Sequence, residues 1–382
     1  MKVLFTGGGT GGHVLPIIGI TREIRRIYTK KDLQFFYIGP KDEFGEIFLS
    51  HEGIRVKRVL SGKIRRYRDW KSITQNLVDC LFKIPAGIFQ AFFYIFFLAP
   101  DLIFSKGGFG SLPGVIAGWV LQVPIFLHES DRTPGLANRF LSRFSLEIFV
   151  SFPKTEWFTP KKMILVGNPI RREILEGSSQ IAKKLFKLSD KKPVILIMGG
   201  SQGAQRINDK ILEILSELLT NFELIHQCGE KNFKEVRAEA KVVITKDLEE
   251  YYHLFPFLKE EELKHAYQAA DLIISRAGSG SIFEIAAIGK PSILVPLPEA
   301  AQNHQVKNAY SYAENGACLV LEEANFTPRF FLEKLKYFFS HPEELEKMQK
   351  SAKEFAKPLA AKIIAEHLVS YLTPLEIPKN KQ

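Results

Sequence analysis

Short apolar runs alternate with longer amphipathic stretches through this chain of 382 residues, and two pairs of similar segments recur in the same order. Together these observations predict an α/β fold of two Rossmann-like, doubly wound halves, because strands that alternate with helices build parallel sheets. The pattern places strands at 3–6, 33–38, 102–104, 124–128, 148–150, 164–166, 194–198, 223–227, 272–274 and 292–295.

The repeat marks the halves. "LIFSKGGFGS" at 102–111 matches "LIISRAGSGS" at 272–281 in six of ten residues, with Lys106 opposite Arg276. Earlier in each half, "FTGGGTGGH" at 5–13 answers "IMGGSQGAQ" at 197–205. Each half therefore opens with a strand and a glycine turn. The seam is expected near "VGNPIRREIL" at 166–175, where Asn168-Pro169 breaks the preceding strand. This gives a first domain over 1–165, a linker over 166–171 and a second domain over 172–350. A C-terminal helix over 351–372 packs back on the first domain, and the tail "TPLEIPKNKQ" is frayed.

Apolar residues make up 46% and charged residues 25%, the balance of a soluble globular protein. Cys80, Cys228 and Cys318 are widely spaced and odd in number, which points to a reducing compartment rather than a disulfide framework. Lys2 leads straight into a strand, so no secretory leader is expected. The net charge of +10 favours an anionic partner: nucleic acid, anionic lipid or a phosphorylated substrate.

The opening turn, "GGGTGG" at 7–12, carries five glycines in six positions. After a strand of a parallel sheet, such a loop presents backbone N–H groups and a helix N-terminus to an anion, and phosphate reaches them only where side chains are absent. Gly7, Gly9 and Gly12 fit G-x-G-x-x-G. A dinucleotide site also needs an acid at the end of the second strand, and that strand closes on "YIGPKDE", glycine and proline first. A nicotinamide site is therefore disfavoured. His13 follows the turn at once. The positive end of a helix favours neutral imidazole, which can accept a proton as a general base does. The plainer reading is a histidine that caps the turn.

Seven motifs in order, "GGGTGGHVLP", "GGFGSLPG", "HESD", "VGNPIR", "GGSQGA", "SRAGSGSIFEIAAIGKP" and "HQVKNA", closely resemble the MurG glycosyltransferases of peptidoglycan synthesis, from Lys2 to about Leu368. The resemblance implies a GT-B fold, two Rossmann-like domains facing a central cleft. It implies inverting transfer of N-acetylglucosamine from UDP-N-acetylglucosamine to the muramyl C4 hydroxyl of undecaprenyl-linked lipid I, making lipid II. The work is done at the cytoplasmic face of the bacterial plasma membrane by a peripheral protein with no cofactor and no metal in the active site.

The resemblance also assigns residues. Thr10, Gly11 and Gly12 form the loop for the acceptor or its diphosphate, with His13 the candidate base. Glu284 holds the ribose hydroxyls, and by itself reads equally as a helix-dipole glutamate. Ser201 and the turn Ser279, Gly280 and Ser281 hold the donor diphosphate, and otherwise read as N-cap and turn residues. Arg171 contacts the nucleotide, His304 and Gln305 read the sugar hydroxyls, and Phe257-Leu258 flank the uracil, where core packing is the alternative. Two departures stand on the acceptor side. Asp131, in "HESD", occupies the place of a family amide, which makes it a rival base that also repels an acceptor diphosphate. Phe109 stands where many relatives carry tyrosine.

"KIRRYRDWK" at 63–71 sets five basic residues beside Tyr67 and Trp70, and "IPAGIFQAFFYIFFLA" at 84–99 carries six aromatics and no charge. At sixteen residues the second segment falls short of the ~20 that span a bilayer. The expected arrangement is mixed, with one helix face in the core and the leading end dipping into an anionic membrane surface. Other readings are a different UDP-sugar enzyme of this fold, such as a glycolipid synthase or nucleotide-sugar epimerase, and a nucleotide- or nucleic-acid-binding module. Nucleic acid is disfavoured because the basic residues gather beside an apolar stretch instead of interleaving with aromatics along a sheet.

Overall fold

The structure, a computed structural model, describes residues 1–8, 11–30, 32–63, 70–155, 157–200 and 203–373. The chain divides into two compact units, one of residues 1–171 with the chain from Leu359 onward, the other of residues 172–358. Each is built on its own parallel sheet.

In the first unit seven strands are β1 (Lys2–Thr6), β2 (Gln34–Gly39), β3 (Arg55–Arg58), β4 (Leu102–Ser105), β5 (Ile125–Glu129), β6 (Glu147–Val150) and β7 (Met163–Leu165). Their order across the sheet is β3-β2-β1-β4-β5-β6-β7, all parallel. Side chains alternate between faces, as the two-residue period of a strand requires. Val3, Phe5, Phe35 and Tyr37 point into one core cluster with Val14, Ile17 and Ile24 of the helix Gly11–Ile27. Leu4, Phe36 and Ile38 point into the other, with Ala91 and Ile95 of the helix Ile84–Leu98.

The second unit has β8 (Val194–Met198), β9 (Glu223–Gln227), β10 (Tyr252–Phe255), β11 (Leu272–Ser275), β12 (Ser292–Leu294) and β13 (Cys318–Val320), in the parallel order β10-β9-β8-β11-β12-β13. Both orders reverse once, between β1 and β4 and between β8 and β11. The two repeated segment pairs of the sequence are these four strands with the turns that follow them.

Three strands escape the sequence pattern: β3, β10 and β13, each at a sheet edge. β13 is only three residues long, and β10 sets Tyr252 and His253 in a strand of four. β3 reads Arg-Val-Lys-Arg, the charged kind of edge that resists pairing with another chain. The expected single helix over 351–372 is also corrected. Helices run over Pro342–Phe355 and Ala360–Leu372, with Pro358 between them. Proline has no N–H to continue a helix and forces its predecessor out of helical geometry. The first helix belongs to the second unit, where Phe355 meets Phe283 and Tyr312. The second lays Ala361, Ile364, Ala365 and Leu368 into the core of the first unit. Residues 166–171 pack within that unit too: Val166, Asn168, Ile170 and Arg171 are buried.

The apolar segment is longer than its sequence bounds. Trp70–Val78, a π turn over Asp79–Lys83 and Ile84–Leu98 run on as one helical stretch. Within it, Ser72–Leu98 is 27 residues, enough by length and composition alone to cross a membrane. Its inner side belongs to the domain, since Gly87, Ala91 and Ile95 are buried and Gln90 accepts the Leu60 N–H at 2.9 Å.

Gly87 makes this docking possible, because a Cβ there would stand 1.8 Å from the Leu60 carbonyl oxygen. Gly87→Ala is expected to destabilise the protein by about 1–3 kcal/mol through overpacking. Gly135→Ala, where a Cβ meets nothing within 4 Å, is expected to stay within about 0.5 kcal/mol of the parent. Thermal unfolding of both variants checks the contrast.

Candidate active site

In an open parallel sheet, ligands bind beyond the carboxyl ends of the strands at the point where strand order reverses. In the first unit that point is filled by two glycine turns. A Cβ on Gly110, after β4, would lie 2.4 Å from the Gly7 carbonyl oxygen, after β1, so only glycine lets the turns meet. Gly107 and Gly108 both hold positive φ, +83° and +80°.

His13 lies in the first turn of the helix Gly11–Ile27, and its ring sits between these turns. A Cβ on Gly8 would come 2.9 Å from His13 Cε1, and one on Gly108 would come 3.0 Å from His13 Nε2. Burial first, and then the Lys106 ammonium, push the imidazole down to about 4 against the opposing charge of Asp131. The neutral form expected from the helix start is thus enforced mainly by desolvation. Gly11 is buried and Gly12 exposed beside it, while Thr10 lies outside the described residues.

Beneath the turns runs a buried polar network that the sequence reading did not assign. Lys106, 2% exposed at the end of β4, has three donors and meets three acceptors. Its Nζ contacts His128 Nδ1 at 2.9 Å, Asn168 Oδ1 at 3.4 Å and the Ser130 hydroxyl. His128 Nε2–H donates to the Gly167 carbonyl at 3.1 Å, so Nδ1 is the acceptor for Lys106. Burial, then the Lys106 charge, holds His128 well below its ordinary range.

Glu129, also buried, accepts the Asp131 N–H at 2.9 Å on Oε1. Its Oε2 accepts the Asn138 amide at 2.7 Å and the Gly135 N–H at 3.3 Å. Asn138 Oδ1 in turn takes the Gly108 N–H at 3.1 Å, which ties the acid to the glycine turn. Burial, then the Asp131 charge, raises Glu129; burial lowers Lys106 against the pull of Glu129 and Asp131. Phe109 opens the short 3₁₀ turn Phe109–Ser111 above this network.

In the second unit the assigned residues gather at the carboxyl edge of β8, β10, β11 and β12. Gly200 and Gly203 hold φ of +79° and +78° after β8, and Ser201 between them lies outside the described residues. Ser279, Gly280, Ser281 and Glu284 share the first turns of the helix Ser279–Ile288. Tyr267 donates its hydroxyl to Glu284 Oε2 at 2.9 Å, fixing the carboxylate. Leu258 is buried, and its N–H is given to Gln227 Oε1 at 2.9 Å.

Gln305 accepts the Leu297 N–H at 3.0 Å on Oε1, which turns its amide nitrogen the other way. His304 Nδ1–H donates to the Ala301 carbonyl at 2.7 Å. Just before them Gln302 and Asn303 both hold left-handed φ, 60° and 55°, an uncommon backbone for non-glycine residues and one that clusters at ligand clamps. Arg276, the repeat partner of Lys106, braces this edge: it donates to the Val295 carbonyl at 3.1 Å and pairs with Glu323 at 2.5 Å. Arg171 is buried as the last residue of the first unit.

The first unit also bears an apolar face. Trp70, Leu77, Leu81, Phe82, Phe89, Phe93, Phe96 and Phe97 are exposed along the whole helical stretch, Trp70 at 82% and Phe97 at 79%. The expected core face is present, and the opposite side is exposed beyond the leading end as well, because i, i+3 and i+4 spacing keeps one side outward over every turn. Most of "KIRRYRDWK", residues 64–69, lies outside the described residues.

Comparison with known proteins agrees with this architecture. Residues 3–150 match the glycosyltransferase family 28 N-terminal domain, and residues 194–364 the glycosyltransferase family 28 C-terminal domain. A UDP-N-acetylglucosamine–N-acetylmuramyl-(pentapeptide) pyrophosphoryl-undecaprenol N-acetylglucosamine transferase of Clostridium tetani (strain Massachusetts / E88) is 39% identical over 92% of this chain and 93% of its own. A second transferase of that name, from Bacillus cereus (strain ATCC 10987 / NRS 248), is 37% identical over 97% of this chain and 99% of its own. The crystal structure of Acinetobacter baumannii MurG superposes with a TM-score of 0.73 at 26% identity, over 97% of this chain and 99% of that one. A UDP-GlcNAc 2-epimerase of Neisseria meningitidis, at 17% identity and a TM-score of 0.65, shares the fold alone. With both domains matched in order and such relatives over nearly its whole length, the chain belongs to glycosyltransferase family 28 and, within it, to the MurG transferases.

Proposed function

We infer that this chain transfers N-acetylglucosamine from UDP-N-acetylglucosamine to lipid I, forming lipid II in peptidoglycan synthesis. The observation that carries the reading is the pair of family 28 domains in a chain up to 40% identical to transferases of this name. Labelled UDP-N-acetylglucosamine and a lipid I analogue should yield a disaccharide-lipid; an active preparation of a relative run alongside, with no product from this chain, would overturn it.

In this reading the acceptor meets the first unit. The muramyl C4 hydroxyl must lose its proton as its bond to the anomeric carbon forms, so a base stands near it. Two observations support His13: its ring is seated between the glycine turns, and it is neutral at ordinary pH. Once it takes the proton, the imidazolium is favoured by Asp131, whose charge raises its proton affinity. Asp131 thus assists the base as well as rivalling it. The donor is held by the second unit, its diphosphate by the turn around Ser201 and by Ser279, Gly280 and Ser281, its ribose by Glu284, its base beside Leu258, and its sugar hydroxyls by His304 and Gln305, with Arg171 contacting the nucleotide. Glycine-turn amides and helix N-termini neutralise the leaving diphosphate.

The apolar face suits a lipid-linked acceptor. Because the inner side of the Trp70–Leu98 stretch is part of the domain, we read the helix as lying in the membrane interface rather than crossing it, with the basic residues of 63–71 against anionic headgroups. This makes the protein peripheral, at the cytoplasmic face.

Three outcomes test the assignments. Glu284→Ala should weaken UDP binding by about 1.5–3 kcal/mol through an unpaired ribose, and calorimetry showing full affinity would remove Glu284 from the site. His13→Ala should lower turnover roughly 10²–10⁴-fold with donor affinity nearly constant. Because the folded imidazole titrates near 4, the parent's turnover should persist as pH falls through 6 and drop only as His13 protonates. If Asp131→Asn abolishes turnover and His13→Ala barely slows it, the two roles are exchanged. Finally, Phe89→Ser with Phe97→Ser should reduce binding to vesicles containing anionic lipid at least tenfold, since each aromatic contributes about 1.5–3 kcal/mol when buried; sedimentation with unchanged binding would place the contact elsewhere.

A further inference from the structure

At the end of β5 two carboxylates, Glu129 and Asp131, stand two residues apart, and the Asp131 backbone N–H donates to Glu129 Oε1 at 2.9 Å. Glu129 is 3% exposed. Like charges so placed repel, and burial makes the repulsion costlier. Beside them lies Lys106, 2% exposed, whose ammonium bonds the hydroxyl of Ser130, the residue between the two acids, as well as His128 Nδ1 at 2.9 Å and Asn168 Oδ1 at 3.4 Å.

We propose that Lys106 is a positioning residue for transfer: its buried ammonium compensates the Glu129–Asp131 pair and pins the loop after β5, and the Gly167–Asn168 turn, to the glycine turn of β4. A lysine is rarely buried without such a task. Its placement fits the role. It directly precedes Gly107 and Gly108, and a Cβ on Gly7 would lie 3.5 Å from Lys106 Cβ and 3.4 Å from His13 Cβ. One charge therefore bonds the acid loop through Ser130 and acts on His13 across the Gly7 turn. The groups facing this point are His13 from the helix after β1, Lys106 from β4, His128, Glu129 and Asp131 from β5 and its loop, and the Tyr37 phenol from β2, which donates to the Gly7 carbonyl at 3.1 Å. Lys106 and Asp131 act on His13 in opposite directions, so the pair also sets the pH at which the histidine is a competent base.

The proposal rests on the transferase reading, and the test separates the two. Lys106→Met, Lys106→Arg, Asp131→Asn and the double variant Lys106→Met/Asp131→Asn are assayed for disaccharide-lipid formation across pH. Lys106→Met should lower kcat at least tenfold with the donor KM within twofold, because the donor is held elsewhere. With the cation gone His13 becomes easier to protonate, so the acid limb of kcat should move up toward the ordinary histidine range. Adding Asp131→Asn removes the uncompensated carboxylate and should recover at least fivefold of the loss, while Lys106→Arg retains more activity than Lys106→Met. If the losses multiply in the double variant and the acid limb stays in place, Lys106 is a structural lysine and the proposal fails. Should Lys106→Met not fold, the double variant must fold better than it does; a double variant equally insoluble also overturns the proposal. An inactive parent protein would instead refute the transferase reading.

Discussion

The candidate site depends on one topological constraint. Parallel strands need crossover connections, and where the order of strands reverses, the connections leave on opposite sides and open a crevice at the carboxyl edge. Backbone can line that crevice only if the two flanking turns approach without side chains. The contact of Gly110 with the Gly7 carbonyl shows how little room there is in the first unit. The second unit repeats the reversal with different packing, its β8 turn closing on Gly229 after β9, where a Cβ on Gly229 would meet the Gly203 Cα at 2.6 Å. The same topology thus yields one crevice that seats a histidine and another that leaves its glycine turn braced from behind.

Electrostatics then sorts the two crevices. The first holds a compact set of opposed charges, Lys106 against Glu129 and Asp131, in which the Lys106 ammonium and the Glu129 carboxylate are hydrogen-bonded within the unit. The second carries its buried cation, Arg276, on an acid, Glu323, that also binds the exposed Arg206. Arg206 reaches Glu299 as well, so this chain of ion pairs fixes the segment leading to His304 and Gln305. Arginine suits a site that must bridge a carbonyl and a carboxylate in one plane, whereas lysine suits the three divergent acceptors around Nζ.

Much of this was legible in the sequence, and the illegible parts share a cause. Glycine turns, the internal repeat and the central strands are local signals written in consecutive residues. β3 and β10 left little trace because these edge strands carry polar residues, Arg-Val-Lys-Arg and Tyr-His-Leu-Phe, and β13 because it is only three residues long. Lys106 read as an ordinary residue of a repeat because its burial is not local: its acceptors lie 22, 24 and 62 residues away. Glu129 and Asn168 were visible within motifs but had no role until their partners appeared. The exposed side of the Trp70–Leu98 stretch was foreseen only in part, since periodicity within an all-apolar segment cannot say which side faces inward.

The helix Ala360–Leu372 gives synthesis and folding opposite orders. The second unit is one continuous segment, 172–358, whereas the first waits for residues that follow it. Until that helix emerges from the ribosome, the apolar surface formed by Val14, Ile17 and Ile18 lacks Ala361, Ile364 and Leu368 against it. A nascent chain therefore completes its later-made half first. The earlier-made half, which bears the aromatic face, stays unfinished through most of translation and is the part that a chaperone or the membrane itself must shelter.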